Sequence, residues 1–190
     1  MRIVTSFLIA LLLTAAAVAQ KKVPPPGKPG DDGPSLVVTM KFIQDKLNDQ
    51  GTFNHLLYVH DDVAGSDWVL RRTLSASNVI ADPGACRIAY HWKTTQNGSQ
   101  VSDSNLSFSL QAVQTISVLT TEQEVKLVDT DAGVLGHNYR SDPSFFMLRV
   151  ARSHTLINTF PVHDEDTANR LAKALTHAVE LCGGGQNEPF

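Results

Sequence analysis

The chain has 190 residues and a mass of 20.7 kDa, with 16 basic and 19 acidic side chains, a net charge of -3 and 42% hydrophobic residues. A pI near 6.1 lacks the basic footprint of a dedicated nucleic-acid binder, and the length suits one domain with at most a small appendage. No strong catalytic or metal-binding motif occurs in it.

Met1 and Arg2 make a short positive start, Ile3 to Leu13 are almost wholly apolar, and Ala17-Val18-Ala19 supplies the small residues that signal peptidase requires. The apolar stretch falls short of the roughly 20 residues that a spanning helix needs. The pattern therefore predicts a signal peptide over residues 1–19, cleaved near Ala19, and a periplasmic or secreted protein, soluble and without a membrane span after cleavage. Gln20 and Lys21, not a cysteine, follow the cleavage point, which excludes a lipoprotein anchor. Residues 20–34 are dense in proline and glycine and read as a disordered linker, and residues 183–190 read as a flexible tail. A single α+β domain is left over residues 35–182.

That domain opens with Leu36, Met40, Ile43 and Leu47 at helical spacing, Ser35 as N-cap and Gly51 as terminator. From Thr52 the period changes to two. Phe53, Leu57 and Val59 alternate with polar residues, as do Trp68, Leu70 and Leu74, and the Asp61 to Ser66 segment between them reads as a turn. Cys86, Ile88, Tyr90 and Trp92 form a third alternating run, closed by the hairpin signal Asn97-Gly98. Further strand-like runs lie at Leu106–Leu110, Val113–Leu119, Glu124–Asp129, Phe145–Arg152 and Thr155–Val162. Seven or eight strands with no helix between them exclude a βαβ parallel fold and predict a curved antiparallel meander or small barrel. The last element is the clearest helix, with an apolar stripe at Ala168, Leu171, Ala172, Leu175, Ala178, Val179 and Cys182. Asp164 is its cap, Glu165 and Asp166 occupy its first turn, and Gly183 to Gly185 end it.

Two cysteines in an exported chain invite pairing. Cys86 shares the phase of Ile88 and Tyr90, Cys182 ends the buried helical stripe, and a Cys86–Cys182 disulfide is expected.

A meander of about seven strands closed by one C-terminal amphipathic helix resembles the pleckstrin-homology-like (PH-like) fold. The run Phe145 to Arg152, then Thr155 to Phe160, then Asp164-Glu165-Asp166-Thr167-Ala168 is similar to the final hairpin and helix of GRAM- or PH-like domains. The wording from Phe160 to Gly184 is also similar to uncharacterised exported bacterial proteins. The helix at Ser35–Asp49 is extra to that pattern. Asp61, Asp62 and Asp67 stand where the family carries its basic phosphoinositide cluster, so that activity is not implied.

Seven histidines make a metal site worth weighing, and His60-Asp61-Asp62 with His163-Asp164-Glu165-Asp166 could supply ligands if two loops converged. The solvated-loop reading is preferred for both, and no metal or cofactor is expected. No Gly-x-Ser-x-Gly elbow is present, although a Ser-His-Asp triad needs only to meet in space. Trp68, Tyr90 and Trp92 could line a ligand cleft, but their phase with Leu70 and Ile88 predicts core packing. Arg71-Arg72 and Arg149/Arg152 read as exposed charge. The loop Asp129 to Pro143 is long and polar, and its His137, Asn138, Tyr139 and Arg140 are the expected partner contacts. The expected function is a non-catalytic binding or interaction module for an unknown protein, peptide or envelope component. A small-molecule or lipid carrier, with ligand held between curved sheet and helix, is the alternative. A metal-dependent hydrolase is the third reading.

Overall fold

The computed structural model describes residues 33–152 and 156–185. The expected signal peptide, the linker up to residue 32 and residues 186–190 of the tail lie outside the described residues. Helix α1 (Leu36–Asn48) begins at Ser35, whose hydroxyl accepts the Val38 N–H, and it buries Met40, Ile43 and Leu47. Strands β1 (Thr52–Asp61), β2 (Ser66–Asp82), β3 (Arg87–Gln96) and β4 (Ser99–Ser109) follow as an antiparallel meander. Asn97 and Gly98, both at positive φ, make the β3–β4 turn in the way the sequence predicts. A 3₁₀ turn (Leu110–Ala112) leads to β5 (Thr115–Thr120), α2 (Thr121–Asp131), β6 (His137–Asp142), β7 (Phe146–Ala151), β8 (Ile157–Val162) and α3 (Glu165–Leu181).

The fold is α+β, with helices at both ends and antiparallel sheets between them. The strands make two open sheets, ordered β4-β3-β2-β1-β6 and β5-β7-β8, and not a closed barrel.

Two expectations are corrected here. The Glu124–Asp129 segment is not a strand but the body of α2, and the supposed loop Asp129–Pro143 contains the end of that helix and the edge strand β6. A capping box decides the first. The Thr120 N–H donates to Gln123 Oε1 at 2.8 Å and the Gln123 N–H donates to Thr120 Oγ1 at 3.3 Å, while Glu122 and Glu124 place negative charge where the helix dipole favours it. The alternation of Val125 with Leu127 suggests a strand, yet it is the helical face of Thr121, Glu124 and half-buried Val125 that turns to the protein, and Leu127 and Val128 are both left exposed.

Strand β2 is 17 residues long and bends at a bulge between Ser77 and Ile80, where Asn78 takes a φ of 53°. Helix α1 grips this bend. Asn48 Nδ2 donates to the Val79 carbonyl at 3.0 Å, the Val79 N–H donates to Asn48 Oδ1 at 2.9 Å, and the Ala81 N–H donates to Gln44 Oε1 at 3.0 Å. The side chains thus satisfy backbone groups that the bulge releases from the ladder.

Beyond the bend lies the main core. It is built from Met40, Ile43 and Leu47 of α1, Ile88 and Tyr90 of β3, Phe108 of β4, Leu148 and Val150 of β7, Phe160 and Val162 of β8, and the α3 stripe. Asp164 caps α3 by accepting the Thr167 N–H at 2.8 Å, an interaction that holds its carboxyl below the usual range. At the other end of α3, Cys182 is bonded to Cys86, with a Cα–Cα distance of 5.8 Å. Cys86 does not continue the phase of β3. It sits in the β2–β3 turn with a φ of 47°, and it is that turn, swung against the core, which brings the two sulfurs together.

Two predictions follow from these clamps. Replacing Asn48 with Leu should cost about 1 to 3 kcal/mol in urea unfolding, because the Val79 amide and carbonyl lose their partners in a part-buried setting. Asn48→Asp, which keeps the acceptor, should cost less. Opening the disulfide, which closes a separation of 96 residues, should cost about 4 kcal/mol and lower the melting temperature by about 10 °C in a thermal scan with reductant.

Candidate functional site

On the near side of the bend, β2 has no helix of the main core above it. There the concave face of the larger sheet and α2 enclose a cleft of about 380 Å³. Strand alternation decides which side chains line it. From β1 come Leu57 and Val59, from β2 Trp68, Leu70, Arg72 and Leu74, from β3 Trp92 and Gln96, and from β6 His137 and Tyr139. Thr121, Glu124, Val125, Val128 and Asp129 of α2 form the opposite wall. Met147 of β7 and Thr159 of β8 close the end toward the smaller sheet, on strands whose alternate residues, Leu148 and Phe160, belong to the core.

The three aromatic residues expected in the core are divided. Tyr90 is buried there, its hydroxyl donating to Asn158 Oδ1 at 3.0 Å, and burial pushes its phenol pKa up. Trp68 and Trp92 are only half-buried and line the cleft, with Trp92 forming the partition between cleft and core. Phase along a strand fixes the face and not what covers it.

The polar groups of the cleft are mostly spoken for. Arg149 of β7 places Nη1 3.1 Å from both Glu124 oxygens, with both side chains largely buried. This overturns the reading of Arg149 as exposed charge. Asp129 accepts hydrogen bonds through Oδ2 from the Tyr139 hydroxyl and from His137 Nδ1, the latter at 3.2 Å. His137 Nε2 lies 3.7 Å from Asp61, and its ring meets Trp68 edge-on with centroids 5.2 Å apart. Arg72, also expected to be solvated, is half-buried in the cleft wall, and burial lowers its pKa. Its guanidinium makes no hydrogen bond or ion pair among the described residues.

The four expected partner-contact residues are split by β6. His137 and Tyr139 face the cleft. Asn138 and Arg140 are exposed on the opposite face, where Asn138 donates to Asp62 Oδ2 at 2.8 Å and the Arg140 guanidinium lies 3.9 Å over the Tyr58 ring.

The histidine–carboxylate clusters weighed as metal ligands do not converge. His60 bonds Asp67 at 2.8 Å at the far end of β1, an interaction that raises its pKa. His163 stacks on Phe53 near the start of that strand, roughly 20 Å away at strand rise, and engages Gln50. Among the described residues, no group of three or more His, Cys, Asp or Glu is placed to hold a metal.

One serine–histidine hydrogen bond occurs among the described residues, between His55 Nδ1 and Ser141 Oγ at 2.8 Å. The Ser141 hydroxyl donates to the Pro143 carbonyl at 2.9 Å, so it accepts from His55 Nδ1–H and is not poised as a nucleophile. His55 is 3% exposed, and its Nε2 has no partner. Burial, then the positive charge of Arg72, lower its pKa to about 4, partly offset by Glu122.

No family model, no curated protein and no solved structure matches this chain.

Neutral His55 gives the stability a defined pH dependence. The unfolded chain protonates this residue near pH 6.5 and the folded chain only near pH 4. Its contribution is therefore complete above pH 6.5 and is lost as the pH falls toward 4. Each unit of separation is worth about 1.4 kcal/mol, and partial screening leaves about 2 kcal/mol. Urea unfolding of wild type and His55→Gln at pH 7 and pH 4 should show wild type losing about that much more than the variant.

Proposed function

We propose that this protein is an exported, non-catalytic module that holds a small, largely apolar organic ligand in the cleft between the larger sheet and α2. The observation that carries this reading is that both tryptophans of the chain line an open cleft instead of closing into the core. The walls are Leu57, Val59, Leu70, Leu74, Val125 and Met147, and Val128 is 52% exposed at the rim. A volume of about 380 Å³ lies within the range of small-molecule sites. Export is supported by the signal-like start and by the disulfide, which persists in oxidising compartments. None of the described helices is long and apolar enough to cross a membrane. A PH-like relationship is kept as a proposal for the β7–β8 hairpin and α3 alone, and it carries no function with it.

A second reading, docking of a protein or peptide partner, is favoured by Arg140 stacked on Tyr58 beside Asn138, on the face away from the cleft. The two readings separate by mutation. N-phenyl-1-naphthylamine, a neutral apolar fluorophore, should bind the purified protein and accept excitation from Trp68 and Trp92. Val125→Trp, which fills the cleft, should weaken that binding tenfold or more, while Asn138→Ala with Arg140→Ala should leave it unchanged. Absence of binding to wild type, or binding indifferent to Val125→Trp, would remove the cleft reading. Native mass spectrometry of protein from an exporting host should show excess mass that denaturation releases.

A further inference from the structure

Besides the Tyr139 phenol, four charged or titratable side chains line the cleft, namely Arg72, Glu124, Asp129 and His137. Glu124 is neutralised by Arg149 at 3.1 Å, and Asp129 is held by Tyr139 and by His137 at 3.2 Å. Arg72 alone among them has no ion pair within 4.0 Å among the described residues. The influence of Asp129 reaches it only across a longer gap. A guanidinium stays protonated in proteins, so a full positive charge and its N–H donors stand half-desolvated in the cleft wall.

Its neighbour across the sheet is also a donor. Arg72 and Gln96 are register partners on β2 and β3, both line the cleft, and the Gln96 side chain makes no hydrogen bond among the described residues. Directly opposed residues on antiparallel strands carry their Cβ atoms about 5 Å apart, close enough for one group to bridge both side chains. On the other flank, the β1 partner of Arg72 is His55, which stays neutral and adds no competing charge. Along β2, Trp68 lies four residues to one side of Arg72. Ala76, the register partner of Trp92, lies four to the other.

We infer that the ligand of this cleft carries an anionic group, a carboxylate or sulfonate, received side by side by Arg72 and Gln96 while its apolar body lies against the tryptophans. This rests on the reading of the cleft as a ligand site. Arg72 supplies the charge and a planar fork that fits such a group, and Gln96 supplies a neutral donor through Nε2.

The test uses two fluorophores that differ only in the anion, 8-anilino-1-naphthalenesulfonate and N-phenyl-1-naphthylamine. Each is titrated against the whole protein and read by energy transfer from the two tryptophans. Arg72→Gln should weaken the sulfonate probe tenfold or more and leave the neutral probe within twofold. Arg72→Lys should recover most of the loss, and Gln96→Ala should weaken the sulfonate a few-fold. If Arg72→Gln leaves sulfonate binding unchanged, or if wild type binds only the neutral probe, the anion site is overturned and the cleft reading stands. Loss of both probes in Arg72→Gln is decided by Arg72→Lys. Recovered sulfonate binding supports the charge, and none means that Arg72 merely shapes the cleft, which overturns the inference. Failure of both probes on wild type defeats the cleft reading itself and the inference with it.

Discussion

The paired hydrogen bonds between Asn48 and the Val79 backbone hold a bend in β2, and because of that bend one strand serves two interiors. A straight strand of this length would carry a single face past the end of the α1–α3 core and leave its apolar residues uncovered. With the bulge clamped by α1, the C-terminal half of β2 supplies Ala76 and Val79 to the main core, and the N-terminal half supplies Trp68, Leu70 and Arg72 to a separate space. Helix α2 covers that second space only in part. The cleft is thus a consequence of how the sheet is bent, and its contents follow from which residues alternate inward on the four strands beneath it.

The distribution of charge supports this division. A buried carboxylate or guanidinium is costly unless paired, and Glu124 with Arg149 obeys that rule closely. Arg72 departs from it in the same neighbourhood. His55 departs as well, with a bare ring nitrogen in a nearly inaccessible position. The two are cross-strand partners, and both sit where the well-packed core gives way to the cleft. Buried polar groups left short of partners are rare in folded proteins. Among the described residues His55 Nε2 is one, and the other two, Arg152 Nε just past β7 and Asn158 Nδ2 on β8, lie at the smaller sheet.

Much of the architecture could be read from the residues because burial on one face imposes a period. Helices α1 and α3 show theirs in Leu36 to Leu47 and Ala168 to Cys182, and the β3–β4 hairpin announces itself by Asn97-Gly98. The elements that escaped have weaker apolar signals. In α2 the residues turned to the protein are Thr121, Glu124 and Val125, two of them polar, and the legible sign was the Thr120-x-x-Gln123 capping box. Strand β6 sends His137, Tyr139 and Ser141 inward, so its alternation is polar against polar and resembles a loop. The cysteine pairing was readable, though Cys86 reaches its partner from a left-handed turn residue instead of a strand face. The cleft was illegible for a further reason. Trp68 and Trp92 follow the same rule as core residues, and only the three-dimensional placement of α2 shows that nothing fills the space above them.

The disulfide joins residues 86 and 182, so α1, β1 and the whole of β2 lie outside the covalent ring that it closes, while α2, β6, β7 and α3 lie within it. The floor strands β1 and β2 and the covering helix of the cleft therefore belong to different topological parts of the chain. A protease that cut the α2–β6 connection near Gly133 would open the ring without releasing a fragment, since both pieces would remain tied through Cys86 and Cys182. Such a nicked protein would keep both pieces and its main core, heavier by a single water, and on an electrophoretic gel the break would pass unseen until the disulfide was reduced.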